Sequence, residues 1–236
     1  MKHFQAAHRS VDWFNARSGI ATTSNFDKLI TPTGKPSTQA DGYANLLVAE
    51  LILGRSLQRE FSTYALEWGE TYEAEAVALY QFETGLDVRD GGFFTNDSLT
   101  YGASPDARCF DGDVMVGLAE IKCPENPANH IEFLIMDAMN PKYTPQVQGQ
   151  LLVSGAEWVD WFSFYPEMPP ARIRTYRDEK YITLLANALK NFEDIMAEKF
   201  SKLISLGHIT ERPEKRIIEQ PIMEGSSGRE VQYQGI

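Results

Sequence analysis

Two strand-like runs that meet at Asp111-Gly112 constrain this chain more than any other feature: LTYGASPDARCF (99–110) and DVMVGLAEIKCP (113–124). An Asp-Gly pair between alternating apolar segments is a strong hairpin signal, because the turn needs a residue at ease with positive φ. With GFFTN (92–96) ahead of them, the runs predict a meander. Side chains alternate across a strand. Counting by two puts Val116, Leu118, Glu120 and Lys122 on one face, and Ala119, Ile121 and Cys123 on the other. An acid and a lysine thus share a face, and Asp106 from the preceding strand can meet them if the register allows.

Helical patterns flank the hairpin. SVDWFNARSG (10–19), TSNFDKLIT (23–31) and YANLLVAELILG (43–54) read as helices. Thr22, Thr23 or Ser24 can cap the second, and Gly54 can end the third. LEWGETYEAEAVALYQFETG (66–85) is longer and closes at Gly85. Its apolar lines are Tyr72, Ala76, Leu79 and Phe82, and beside them Ala76, Val77 and Tyr80, which puts Glu73 at the edge of the buried face. Thr144-Pro145 supplies a cap and a first-turn proline for a helix through QVQGQLLVSG. EWVDWFSFY and ARIRTYR then read as paired strands, and residues 180–207 as a long amphipathic helix.

This order predicts one mixed α/β domain over 1–211, with a helical part over 1–60 and a core over 61–165. The tail, 212–236, reads as extended or as a partner-binding arm.

Composition narrows the function. Hydrophobic content of 43% in 236 residues suffices for a sizeable core. No apolar run approaches the roughly 18 residues of a membrane span, and the start lacks a signal-peptide core, so a soluble intracellular protein is expected. Two cysteines cannot supply a four-cysteine zinc or iron–sulfur site, and the four histidines show no ligand spacing. A net charge of −11 argues against a sequence-specific, groove-reading regulator, though a local basic patch can coexist with it.

Cleaving a phosphodiester needs an activated water, stabilisation of developing charge and help for the leaving oxygen. Mg²⁺ can serve all three and prefers carboxylate oxygens. Asp106, Glu120 and the backbone carbonyl of Ile121 can hold one ion, and Glu73 can bring another carboxylate from its helix. Lys122 can orient or deprotonate the water, or offset phosphate charge. The ordinary alternative for Glu120 and Lys122 is an ion pair on a strand surface.

The runs WGETYEAEA, YGASPDARC, LAEIKCP and YTPQVQGQLLVSG, with DWFNARSGIATTSNF before them, resemble the lambda-type phage exonucleases, or YqaJ-like viral recombinases. These belong to the PD-(D/E)xK nuclease superfamily, and the likeness extends from about Trp13 to Val153. It implies a restriction-endonuclease-like fold, a central mixed β-sheet flanked by helices. It implies Asp106 and Glu120 as metal-binding acids, Lys122 as the catalytic lysine, Glu73 as the helical acid, and Gln146 and Tyr143 beside them. Arg17, Ser24 and Ser104 match a pocket for a 5′-phosphate, for which a guanidinium fork is suited.

The expected activity is Mg²⁺-dependent (Mn²⁺ substituting) 5′→3′ degradation of linear double-stranded DNA to mononucleotides, leaving 3′ tails. The expected setting is the cytoplasm of a phage-infected or prophage-bearing bacterium, beside a phage single-strand annealing protein and with no membrane role. A ring-shaped homotrimer enclosing DNA would reconcile the acidic exterior with this substrate. Arg17, Lys35, Arg108, Lys142, Arg172 and Arg174 are candidates for its basic lining. The alternatives are a related nuclease of other polarity or endonucleolytic habit, and a non-catalytic DNA-end scaffold.

Overall fold

The run from Phe93 to Lys122 is shared between two sheets rather than forming one meander. The computed structural model describes residues 1–5, 10–57, 64–136 and 138–215. The chain begins with β1 (Lys2–Phe4), α1 (Val11–Arg17), β2 (Ala21–Thr22), a 3-10 segment (Thr23–Lys28) and α2 (Ala40–Leu53). It continues with α3 (Tyr64–Thr84), β3 (Asp87–Asp90), β4 (Phe93–Thr95), β5 (Tyr101–Ala103), β6 (Ala107–Asp111) and β7 (Val114–Lys122). After α4 (Pro127–Ile135) come a 3-10 turn (Pro141–Tyr143), α5 (Thr144–Ser154), β8 (Trp158–Ser163), β9 (Ala171–Tyr176) and α6 (Glu179–Ser205).

The smaller sheet has the order β1-β4-β5-β2, the larger β3-β6-β7-β8-β9. In the larger sheet only β7 and β8 run parallel, the crossover between them carrying α4 and α5. Both sheets are mixed and helices flank them, as the resemblance implied.

The switch between sheets falls at Ser104-Pro105-Asp106. Proline has no N–H for a ladder, so pairing stops there and resumes at Ala107 on a different neighbour. The turn is packed tightly: a Cβ on Gly91 would lie 1.8 Å from the Pro105 carbonyl oxygen. Backbone cannot retreat as a side-chain tip can. Gly91→Ala is therefore expected to cost at least the upper part of the ~1–3 kcal/mol typical of overpacking, read as a lowered denaturation midpoint.

The hairpin differs from its expected form in two places. Asp111 is the last residue of β6, paired with Val114, so the loop is Gly112-Asp113, one residue later than predicted. Gly112 takes the positive φ of 59° there. The register also shifts between Cys109 and Phe110. Such an irregularity resets the alternation of one strand. Val116 accordingly packs with Ala119 and Ile121, not with Leu118 as counting by two had it. From Leu118 to Lys122 the predicted alternation holds.

Helices cover both faces of the larger sheet, α3 on one and α5 with Phe133 of α4 on the other. Ala76 and Tyr80 of α3 pack with Ala107, Cys109, Ala119, Ile121 and Phe162. Phe82 leaves that line: it is 85% exposed, because six residues beyond Ala76 rotate it about 240° around the axis. On the opposite face, Val147 and Leu151 of α5 pack with Leu118, Val159 and Trp161. β8 is buried along its whole length, as befits a strand covered on both faces. It carries one charge inside: Asp160 accepts from Arg174 Nε and Nη2, both at 2.7 Å, and from the Tyr80 hydroxyl at 2.8 Å.

A third cluster joins α2 and α6 to the 3-10 segment through Phe26, Leu47, Leu185 and Phe192. TSNFDK, expected as an α-helix, is this tighter 3-10 segment. Thr22 precedes it without a side-chain cap and instead bonds the side chains of Ser24 and Asn25. Gly149 lets α5 approach it, since a Cβ there would lie 2.5 Å from the Phe26 ring. Gly54 and Gly85 end α2 and α3 as expected, both at positive φ. The cap of α5 is Tyr143 rather than Thr144, which lies within the helix. Residues 216–236 of the expected tail, and His8, lie outside the described residues. Among the described residues no helix is long and apolar enough to cross a membrane.

Candidate active site

The end of β7 and the switch from β5 to β6 bring Asp106, Glu120 and Lys122 together. Asp106 Oδ2 accepts the Ile121 backbone N–H at 2.8 Å and lies 3.4 Å from Lys122 Nζ. Lys122 Nζ donates to Glu120 Oε2 at 2.8 Å. Two carboxylates thus converge on one cation, an internal ammonium. Glu120 is only 2% exposed, whereas the Lys122 side chain keeps 37%.

These placements shift the protonation equilibria. Burial, and then the neighbouring charge of Asp106, raises the pKa of Glu120; Lys122 and Gln150 oppose that rise. Burial alone would lower the Lys122 ammonium, but Asp106 and Glu120 override it and hold the lysine in its charged form.

α5 supplies the amides. Gln146 Nε2 donates to Glu120 Oε2 at 3.2 Å. Gln150 Nε2 donates to Glu120 Oε1 and went unnoticed in the sequence. The signal was present, since residues four apart share a helix face. Gln148, between them, points elsewhere and bonds the backbone of Tyr176 and Asp178. The Tyr143 ring packs on Trp161 with centroids 4.3 Å apart. With Lys122, Lys142, Asn129, Asn140 and Phe133 it lines a cavity of about 240 Å³.

Glu73 comes from α3 and is half-buried. Burial raises the Cys123 thiol to about 12, and the charges of Glu73 and Asp106 add to that rise, so Glu73 lies within electrostatic reach of the end of β7. Among the described residues no three Asp, Glu, His or Cys side chains converge as a ready metal cage. Two carboxylates and the Ile121 carbonyl are an all-oxygen set that leaves positions open. This fits Mg²⁺, which keeps several waters and takes one or two carboxylates plus substrate phosphate. It does not resemble a thiolate or imidazole site.

Arg17, Ser24 and Ser104 are also brought together, through a residue the motif contained but to which no role had been given. Trp13 Nε1 donates to Ser104 Oγ at 2.7 Å, and the Arg17 guanidinium lies 3.9 Å above the Trp13 ring. Arg17 Nη2 donates to Ser24 Oγ at 3.3 Å. Arg17 is buried, its Nε has no hydrogen-bond partner, and among the described residues no carboxylate pairs with it. Burial lowers its pKa to about 10, against the opposing pull of Tyr43, Glu120, Glu50 and Asp106. A guanidinium held this way is poised for an anion.

Of the other basic candidates, Arg174 is committed to Asp160, and Arg108 donates to the Asp90 carbonyl. His130 is buried between Ser163 Oγ and the Pro169 carbonyl.

The architecture is one found in exonuclease structures. Alkaline exonuclease (LHK-Exo) from Laribacter hongkongensis matches with a TM-score of 0.72 and 26% identity, covering 84% of this chain and 98% of that one. LHK-Exo in complex with dAMP matches with a TM-score of 0.73 and 28% identity over the same shares. A phage-related exonuclease from Haemophilus somnus 129PT shares the fold, with a TM-score of 0.61 at 13% identity over 78% and 96% of the two chains. Among curated proteins no sequence gives a significant match. Residues 12–157 match the YqaJ-like viral recombinase domain, and the chain belongs to that family.

Proposed function

We propose that the protein is a Mg²⁺-dependent 5′→3′ exonuclease that degrades one strand of linear, 5′-phosphorylated double-stranded DNA. Its products are mononucleotides and 3′ single-stranded tails. One observation carries the reading: the Asp106–Glu120–Lys122 cluster lies within electrostatic reach of a buried arginine that has no carboxylate partner among the described residues. The similarity to LHK-Exo, an alkaline exonuclease also solved with dAMP, supports a nuclease releasing single nucleotides.

In this reading Asp106, Glu120 and the Ile121 carbonyl hold the metal. The ion supplies an activated water and Lewis-acid stabilisation of the phosphoryl oxygens. Lys122, the cation between those carboxylates, would offset charge on the scissile phosphate or orient the attacking water. Gln146 orients Glu120, Tyr143 stands at the mouth of the site, and Glu73 adds negative charge from α3. Arg17 and Ser24 grip the 5′-phosphate, with Ser104 holding Trp13 under the guanidinium. A ring of three chains around the duplex accounts for an acidic protein retaining DNA. The expected partner is a phage single-strand annealing protein in the bacterial host.

A time course on duplexes labelled at the 5′ or the 3′ end, with and without Mg²⁺, tests this. Early release of 5′ label as a mononucleotide, only with metal, is expected. Release from the 3′ end, or nicking of closed circles at a similar rate, would overturn the polarity. Arg17→Ala should weaken preference for a 5′-phosphate over a 5′-hydroxyl by about 1.5–3 kcal/mol, a charge-assisted hydrogen bond's contribution. Competition between the two ends in one reaction measures it, and unchanged preference would remove Arg17 from the pocket.

A further inference from the structure

We infer that Gln150 is a positioning residue for metal binding: a buried amide that fixes the orientation of the Glu120 carboxylate. The inference rests on the metal-nuclease reading of the site. Gln150 is fully buried on α5, and its Nε2 donates to Glu120 Oε1. Glu120 Oε2 is held by Lys122 and Gln146, so Gln150 is the group that governs the other oxygen.

The rest of the amide shows what the arrangement favours. Gln150 Oε1 is buried with no hydrogen-bond partner among the described residues. Buried polar atoms are nearly always paired, and an orphan asks for an explanation. Turning the amide over would set its oxygen against the Glu120 carboxylate and leave the NH₂ group as the orphan. The observed orientation keeps the donor on the anion and accepts the loss at Oε1. Gln150 is therefore placed for Glu120.

Lys122 and Gln146 are both more accessible than Gln150. Lys122 is also the cation that a metal ion must displace from Glu120. When it leaves, Gln150 keeps the carboxylate from rotating, and the donor oxygens stay aimed outward. Groups that hold a metal-ligating carboxylate in this way typically change metal affinity or activity 10- to 100-fold when lost.

Gln150→Met keeps length and volume but removes the donor. Calorimetric titration of the DNA-free protein with Mn²⁺ should show about 10-fold weaker binding in Q150M, with the melting temperature little lowered. Affinity for 5′-phosphorylated duplex in EDTA, followed by fluorescence anisotropy, should stay at the wild-type value, which a general packing defect would not spare. Gln150→Asn, with the donor drawn back by one methylene, should also bind Mn²⁺ more weakly and serves if Q150M does not fold. Wild-type Mn²⁺ affinity in either folded variant would overturn the role of Gln150. A wild-type protein that binds no Mn²⁺ would overturn the metal-site reading itself, and the Gln150 role with it.

Discussion

Lys122→Ala is expected to slow DNA hydrolysis by about 10²–10³-fold, the usual cost of deleting one donor from a charge-stabilising site. Affinity for 5′-phosphorylated duplex should be largely kept. A second effect follows from the geometry. Lys122 is the cation on which Asp106 and Glu120 converge, at 3.4 and 2.8 Å. Without it two acids face each other, one fully inside the protein. The metal-free variant should melt lower than wild type, and Mg²⁺ should raise its melting temperature more than it raises that of wild type. Thermal melts with and without Mg²⁺ measure this beside the cleavage assay. Wild-type turnover in the variant would remove Lys122 from the chemistry, whatever the melts show.

The largest stability effect should come from a residue with no part in the site. Asp160→Ala leaves Arg174 in a half-buried position against Trp158, its guanidinium carbon 3.6 Å from the ring centroid, with no counter-charge. Breaking one side of a buried ion pair costs about 3–5 kcal/mol. Partial solvent access at Arg174 favours the lower end. Tyr80 also loses the acceptor of its hydroxyl. At about 2–4 °C per kcal/mol for a chain of this size, the midpoint should fall by roughly 6–20 °C. The double variant Asp160→Leu with Arg174→Met should recover much of the loss, because apolar replacements of buried pairs are often neutral. Asp160→Ala melting with the wild type would contradict the account.

Much of the site was legible because it obeys local periodicity. Glu120 and Lys122 share a face by strand alternation, and Gln150 lay one helical turn from Gln146. Val116 broke the same rule, because it is the extra residue of its own strand: Cys109 pairs with Gly117 and Phe110 with Met115, and nothing in the local residues marks the skip. The strand read through Pro105 in fact breaks there, and that the chain leaves one sheet for another depends on strands as short as Ala21–Thr22, whose two residues carry no periodic signal. Trp13 stood inside a recognised motif, yet nothing in the motif says that its indole reaches Ser104, 91 residues on. The apolar line drawn through Phe82 failed by rotation, since a step of three drifts off a face that a step of four would have kept.

The switch at Ser104-Pro105-Asp106 has a consequence in length. Ser104 fastens the aromatic plate under Arg17, and Asp106 stands in the carboxylate cluster. Pro105 alone separates them, so their Cα atoms lie about 7 Å apart at most. In the proposed reaction this turn is a ruler. One end would sit at the proposed 5′-phosphate pocket and the other at the proposed metal site, with a proline stiffening the interval.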